Sequence, residues 1–144
     1  MPGRSTRFLI DTNLFIAAVK GRRTRSTELL LALLDGPIEL VADDILISEY
    51  ARYARRFEAD PFLEILLKKV VVIEQSIEDV LKCKPFFPPD EGGDIVHAAT
   101  CLHAKAILIT NDTHFNRIRD EGLIEVWSIS EAILMLLDRG CDPG

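Results

Sequence analysis

The most constraining feature of this sequence is an alternation of short, mostly apolar runs with stretches of helical periodicity. The runs are Arg7 to Ile10, Ile38 to Ala42, Val70 to Ile73, Ala106 to Thr110 and Ile124 to Trp127. Short apolar strands alternating with helices predict an α/β fold with a parallel sheet. Right-handed crossovers then place helices on both faces. Helix signals fill the gaps. Leu14 to Val19 reads as a helix broken at Gly21, and Ser26 as the cap of one running through Leu34 to the Gly36-Pro37 stop. Asp43 or Asp44 caps a helix carrying Ile45, Glu49, Tyr53 and Arg56. Asp60-Pro61 opens another, with Asp60 as cap, running to Lys68 or Lys69. Ser76 caps a short helix to Lys84. Pro85 to Gly93 reads as a loop, and Asp94 lies near the start of a helix to Ala104. Ser130 is the expected cap of a last helix to Asp138, stopped at Gly140. There is no linker or repeat, so residues 1–144 are expected to form one domain.

Composition narrows the function classes. With 48% hydrophobic and 28% charged residues, the chain can bury a core and is not of the disordered class. No apolar run approaches the roughly 20 residues of a membrane helix. The start does not read as a secretory signal. Cys83, Cys101 and Cys141 form no CxxC, which predicts reduced thiols and a cytoplasmic location. Net charge is −6, yet residues 1–56 hold nine Lys or Arg against seven acids, and the rest eight against sixteen. The cations cluster as Lys20, Arg22, Arg23 and Arg25, then Arg52, Arg55 and Arg56. Such clusters form either a phosphate-binding patch or a solvated surface.

In parallel sheets, ligands bind beyond the carboxyl ends of strands, where strand order reverses. Two acids stand there in sequence: Asp11 after the first run and Asp112 after the fourth. Glu49 and Asp94 lie on the helices between. Taken singly, each has an ordinary reading as a helix cap, a turn residue or a solvated helix acid. Asp43 and Asp60 are expected to be such caps.

As a set, FLIDTN at 8–13, ISEY at 47–50, GDIVHAA at 93–99 and ITNDTHF at 109–115 resemble the PIN-domain nucleases, and among them the small VapC-like toxins. The resemblance covers residue 7 to about 138. It implies a three-layer α/β/α sandwich with a five-stranded parallel sheet in order 3-2-1-4-5. It also implies endoribonuclease activity leaving a 5′-phosphate, with Asp11, Glu49, Asp94 and Asp112 as the catalytic acids. A homodimer and a protein antitoxin partner follow from the same resemblance. The dimer has a second motive, an apolar surplus in helices 26–34 and 61–67.

Two carboxylates ~4 Å apart repel by about 4 kcal/mol at an effective dielectric near 20, so the cluster calls for a divalent cation. Oxygen ligands suit Mg²⁺ or Mn²⁺. Asp11, Asp94 and Asp112 are assigned to the metal, with Glu49 acting through water. Thr12, Asn13, Ser48, Thr110 and Asn111 are candidates to hold the acids or substrate. Lys20, Arg22, Arg23, Arg25, Arg52 and Arg56 are candidates for RNA phosphates. His97 and Cys101 share a helix face, but zinc needs more ligands, so a buried Cys and a partly exposed His are expected. His114 reads as a turn residue, and Trp127, Ile133, Leu134 and Leu137 as core or interface. Two alternatives stand beside the nuclease: a catalytically silent RNA-binding module, and a haloacid-dehalogenase-like phosphatase. The latter puts an aspartate two positions after the first, where Asn13 stands here.

Overall fold

The computed structural model describes residues 6–139. Cys141 and the Gly140 stop lie outside the described residues. The strands are β1 (Arg7–Ile10), β2 (Glu39–Ala42), β3 (Val70–Val72), β4 (Ile107–Ile109) and β5 (Glu125–Trp127). They form one parallel sheet in order β3-β2-β1-β4-β5. Phe8, Leu9 and Ile10 pair with Ile107, Leu108 and Ile109, while Leu40, Val41 and Ala42 pair with Val70, Val71 and Val72. The central strands are the apolar ones for a physical reason. Helices cover both faces, so every side chain from Phe8 to Ile10 and from Leu40 to Ala42 is buried.

The helices are α1 (Thr12–Val19), α2 (Arg25–Asp35), α3 (Asp44–Arg56), α4 (Asp60–Lys69), α5 (Ile77–Cys83), α6 (Gly92–Ala104), α7 (Asn116–Asp120) and α8 (Ile129–Ile133). A π-helical segment, Leu134–Asp138, continues α8. Several caps differ from the sequence expectation. Helix α1 begins at Thr12 rather than Leu14, because the Asp11 carboxylate accepts from the Thr12 amide. The cap of α2 is Thr24, not Ser26, in a reciprocal pair with Thr27. Asp60 is the first residue of α4; the cap position is Ala59, which makes no side-chain capping bond. Ser128 caps α8, and Ser130 does not, since Glu131 three residues on returns the bond to the Ser128 amide. Asp43 caps α3 as expected, accepting from Leu46 N at 2.8 Å.

The proline-rich segment holds a 3-10 turn, Lys84–Phe86. Phe87 follows, buried edge-on against Phe115 at 5.5 Å. That contact pins the start of α6 against the segment after β4, the two pieces that carry Asp94 and Asp112. Of the two apolar helices expected to leave a surplus, α2 spends Leu29, Leu30 and Leu33 on this chain's own core. Helix α4 buries Leu66 and leaves Ile65 and Leu67 exposed. Cys83 and Cys101 are buried free thiols.

Candidate active site

Strand pairing brings the ends of β1 and β4 together. Asp11 N donates to Ile109 O at 3.0 Å, one residue past the last pair. The chain leaves β1 toward β2 and β3 on one side, and β4 and β5 lie on the other. Asp11 therefore sits at the reversal of strand order. Its side chain is buried, accepting from Thr12 N at 2.8 Å and from the Thr110 hydroxyl at 2.7 Å. Thr110 Oγ1 in turn accepts from Asn13 Nδ2 at 3.1 Å and from Asp112 N at 2.9 Å. One threonine thus ties both strand ends and fixes the backbone that presents Asp112. Asn111 N donates to Asn13 Oδ1, and Asn111 Oδ1 accepts from Ile129 N.

Helix α3 supplies Glu49, whose Oε1 accepts from Thr12 Oγ1 at 2.6 Å. Helix α6 supplies Asp94 in its first turn. Asp11, Thr12, Asn13, Glu49, Asp94 and Asp112 line one open cleft of about 270 Å³, with Ile16, Arg52, Tyr53 and His97. Ser48, one residue from Glu49, is exposed on α3 and does not line it.

Three residues of the site escaped the sequence reading. His97 is not partly exposed but 2% exposed, with Nδ1 2.7 Å from Asp43 Oδ2 and Nε2 3.6 Å from Glu49 Oε1. Asp43 is therefore more than a cap: one oxygen holds the α3 amide and the other holds His97. The signal in the sequence was spacing, since His97 follows Asp94 by three and shares its helix face. His114, an exposed turn residue as expected, also reaches Asp94 Oδ2 at 3.0 Å, Asp112 Oδ1 at 3.3 Å and Glu91 Oε1 at 3.6 Å.

The electrostatics follow. Burial raises the Asp11 carboxyl above its ordinary range, against the Thr110 bond. Burial lifts Asp94 to about 6; the His114 bond opposes this and the charges of Asp112 and Asp11 add to it. Glu49 is lowered, chiefly by His97, whose Nε2 lies 3.6 Å from Oε1. Burial works against charge on His97, but the bond to Asp43 and the nearby Glu49 carboxylate prevail and bring it to about 10. The 2.7 Å contact of its Nδ1 with Asp43 orients the ring so that Nε2 faces Glu49. His114 is raised too, first by its bond to Asp94.

Ligand atoms of Asp11, Glu49 and His97 lie within 4.8 Å of one another, as do those of Glu91, Asp94 and His114, and Asp112 lines the same cleft. The carboxylate oxygens among them suit a hard divalent cation. Burial pushes two of these carboxyls toward the neutral form, and a cation would restore their charge. The cations of the chain are less uniformly placed. Arg52 lines the cleft and Arg56 is exposed one turn further along α3. Lys20, Arg22 and Arg23 are exposed between α1 and α2, outside the cleft lining. Arg25 is engaged by Glu28 at 2.6 Å and by Asp138.

No curated protein sequence matches the chain. Solved structures do share its fold. One is a chain of VapBC2 from Rickettsia felis, solved bound to a DNA fragment from its promoter. The TM-score is 0.64 at 16% identity, covering 85% of this chain and 98% of that one. A second is VapBC-1 from nontypeable Haemophilus influenzae, with TM-score 0.61, 21% identity, and coverage of 87% and 99%. A third is a toxin–antitoxin complex from Klebsiella pneumoniae, with TM-score 0.56, 23% identity, and coverage of 74% and 88%. The family model described as the PIN domain matches residues 8–121, from β1 to just past α7 and across all four acids. On that match the chain belongs to the PIN domain family.

Proposed function

We propose that this chain is an Mg²⁺- or Mn²⁺-dependent endoribonuclease, a single-domain cytoplasmic toxin that works as a homodimer and is held in check by a protein antitoxin. The observation that carries the nuclease reading is the meeting of Asp11, Glu49, Asp94 and Asp112 in one cleft at the β1–β4 switch point. Family membership supports a hydrolase acting on nucleic acid. The toxin role draws on the solved complexes that share the fold.

When bound, the metal neutralises phosphate charge and lowers the pKa of an attacking water. Asp11, Asp94 and Asp112 would hold it. Thr12 and His97 both engage Glu49 Oε1, which leaves Oε2 to orient the water. Thr110 and Asn13 keep Asp11 and the Asp112 backbone in register. Arg52 at the cleft wall meets the phosphate backbone. The phosphatase alternative finds no acid–base partner here, because Asn13 is an amide engaged with Thr110 and Asn111.

The test is RNA cleavage by the purified protein with Mn²⁺, with and without EDTA. Cleavage abolished by EDTA supports the proposal, whereas RNA binding without cleavage would favour the silent module. For the toxin role, induced expression should arrest growth, and co-expression of a small upstream reading frame should relieve it. Growth unaffected by an active nuclease would leave a housekeeping role instead.

A further inference from the structure

We propose that Tyr53 and Phe57, together with Arg52 and Arg56, form a track on α3 that stacks the bases of a single-stranded nucleic acid beside the cleft. The proposal rests on the nuclease reading above and adds the residues that select an unpaired strand. Glu49 and Tyr53 on α3 and Phe57, which caps its end with its amide bonded to Tyr53 O, are spaced by four and follow one face, a stripe about 12 Å long at 1.5 Å per residue. Arg52 and Tyr53 line the cleft with the acids. The Tyr53 and Phe57 rings are stacked, 6.4 Å apart and 15° from parallel. The Arg52 guanidinium lies 4.9 Å from the Tyr53 ring centroid, and that of Arg56 lies 5.8 Å from the centroid of Phe57. Both rings are half-buried, with one side packed against the core, and both arginines are exposed.

The order along the helix is cation, ring, then one turn later cation, ring. A single strand alternates phosphate and base in the same way, so the pattern matches it in charge and in shape. Arg52 and Arg56 make no ion pair among the described residues, unlike Arg25, which two acids already hold. A phosphate drawing Arg52 off Tyr53 bares the ring face for a base. The exchange is downhill, because an exposed cation–π contact is weaker than base stacking on an aromatic ring. A duplex hides its base faces and gains nothing from the track.

The experiment reads binding rather than turnover. A short single-stranded RNA carrying 2-aminopurine is titrated with Asp11→Asn protein, in which the strand stays intact, and with the same protein bearing Tyr53→Phe or Tyr53→Leu. Tyr53→Phe should keep both the affinity and the fluorescence quench. Tyr53→Leu should lose the quench and weaken binding about tenfold, the lower-middle of the range for one stacked base. Affinity for a duplex should be equal in all three proteins. If Tyr53→Leu disturbs the circular-dichroism melt, Phe57→Leu carries the same comparison. Equal single-strand affinity and equal quench in the Leu and Phe variants would overturn the assignment and leave this face to a protein partner. The nuclease reading fails separately, when the unsubstituted protein with Mn²⁺ leaves RNA uncut.

Discussion

Asp11 is buried between two donors and raised toward neutrality, yet it stands nearest the point where β1 and β4 part. A neutral amide keeps its shape and loses its charge. Asp11→Asn should fold normally and lose about three orders of magnitude in RNA cleavage, matching the several kcal/mol a catalytic metal supplies. Cleavage undiminished in that variant removes Asp11 from the metal site. Asp94 sets the pH dependence. Its folded pKa is raised from 3.8 to about 6, so its favourable contribution is complete below 3.8 and lost as pH rises through about 6. Above that, the ionised cluster is strained without a cation. Mn²⁺ should raise the melting temperature at pH about 7.5, worth about 2.7 kcal/mol at 100 Kd, and much less at pH about 5. A pH-independent shift measured by calorimetry would place the metal elsewhere. His97 runs to the alkaline side. Raised from 6.5 to about 10, its pairing contribution is complete below 6.5 and disappears as pH rises through about 10. His97→Gln leaves Asp43 buried without its cation and should cost about 3 kcal/mol in denaturant unfolding near neutral pH. Asp43 also accepts from Leu46 N at 2.8 Å and from the Thr100 hydroxyl at 3.3 Å, and an unfolding midpoint equal to the wild type's would show that these two bonds satisfy it.

Among the elements, helix starts separate local code from context. Ser128 and Ser130 both precede the same apolar stripe, and the stripe alone does not choose between them. The reciprocal bonds with Glu131 choose Ser128, and Ser130 is exposed. Ser128→Ala should therefore cost about 1 kcal/mol by chemical denaturation, and Ser130→Ala close to nothing. The reverse order would put the cap two residues on. The segment between α1 and α2 tests the basic patch. Arg25 is tied to α2 and to Asp138, so only Arg22 and Arg23 are suited to charge reversal. Changing both to Glu should raise KM for RNA and flatten the salt dependence of binding, with metal affinity unchanged. An unaltered KM and salt slope would mark these side chains as solvated surface. Asp43, Asp60 and Ser26 were all read from the same local chemistry. Asp43 met that reading because Leu46 N lies within reach. Ser26 did not, because the reciprocal Thr24–Thr27 bonds start α2 two residues earlier, and Asp60 did not, because it lies inside the first turn of α4 after Ala59.

For the whole molecule, the consecutive elements α4, β3 and α5 carry exposed apolar side chains, Ile65, Leu67, Val71, Val72, Ile77 and Leu81, and β3 is an edge strand of the sheet. An open edge strand with apolar neighbours is a surface that soluble chains cover. The proposed homodimer should be seen by sedimentation, and Ile65→Lys with Ile77→Lys should shift it to monomer without lowering the melting temperature of the fold. A chain that sediments as a monomer before substitution would remove the dimer. Much of this molecule was legible beforehand. The five strands, their parallel arrangement and the placement of four acids after strands or on helices follow from apolar runs and turn residues, which act over a few positions. Sheet order came from family resemblance, and pairing of Phe8 with Ile107 bears it out. Contacts between distant segments were not legible in that way. Nothing in the local pattern states that His97 lies between Asp43 and Glu49, 54 residues from the former. Nor does it state that Thr110 bonds to Asp11 across 99 residues. Local signals set which residues can turn, cap or enter a strand. Packing α6 against α3, and β4 against β1, set which charges must share a buried space.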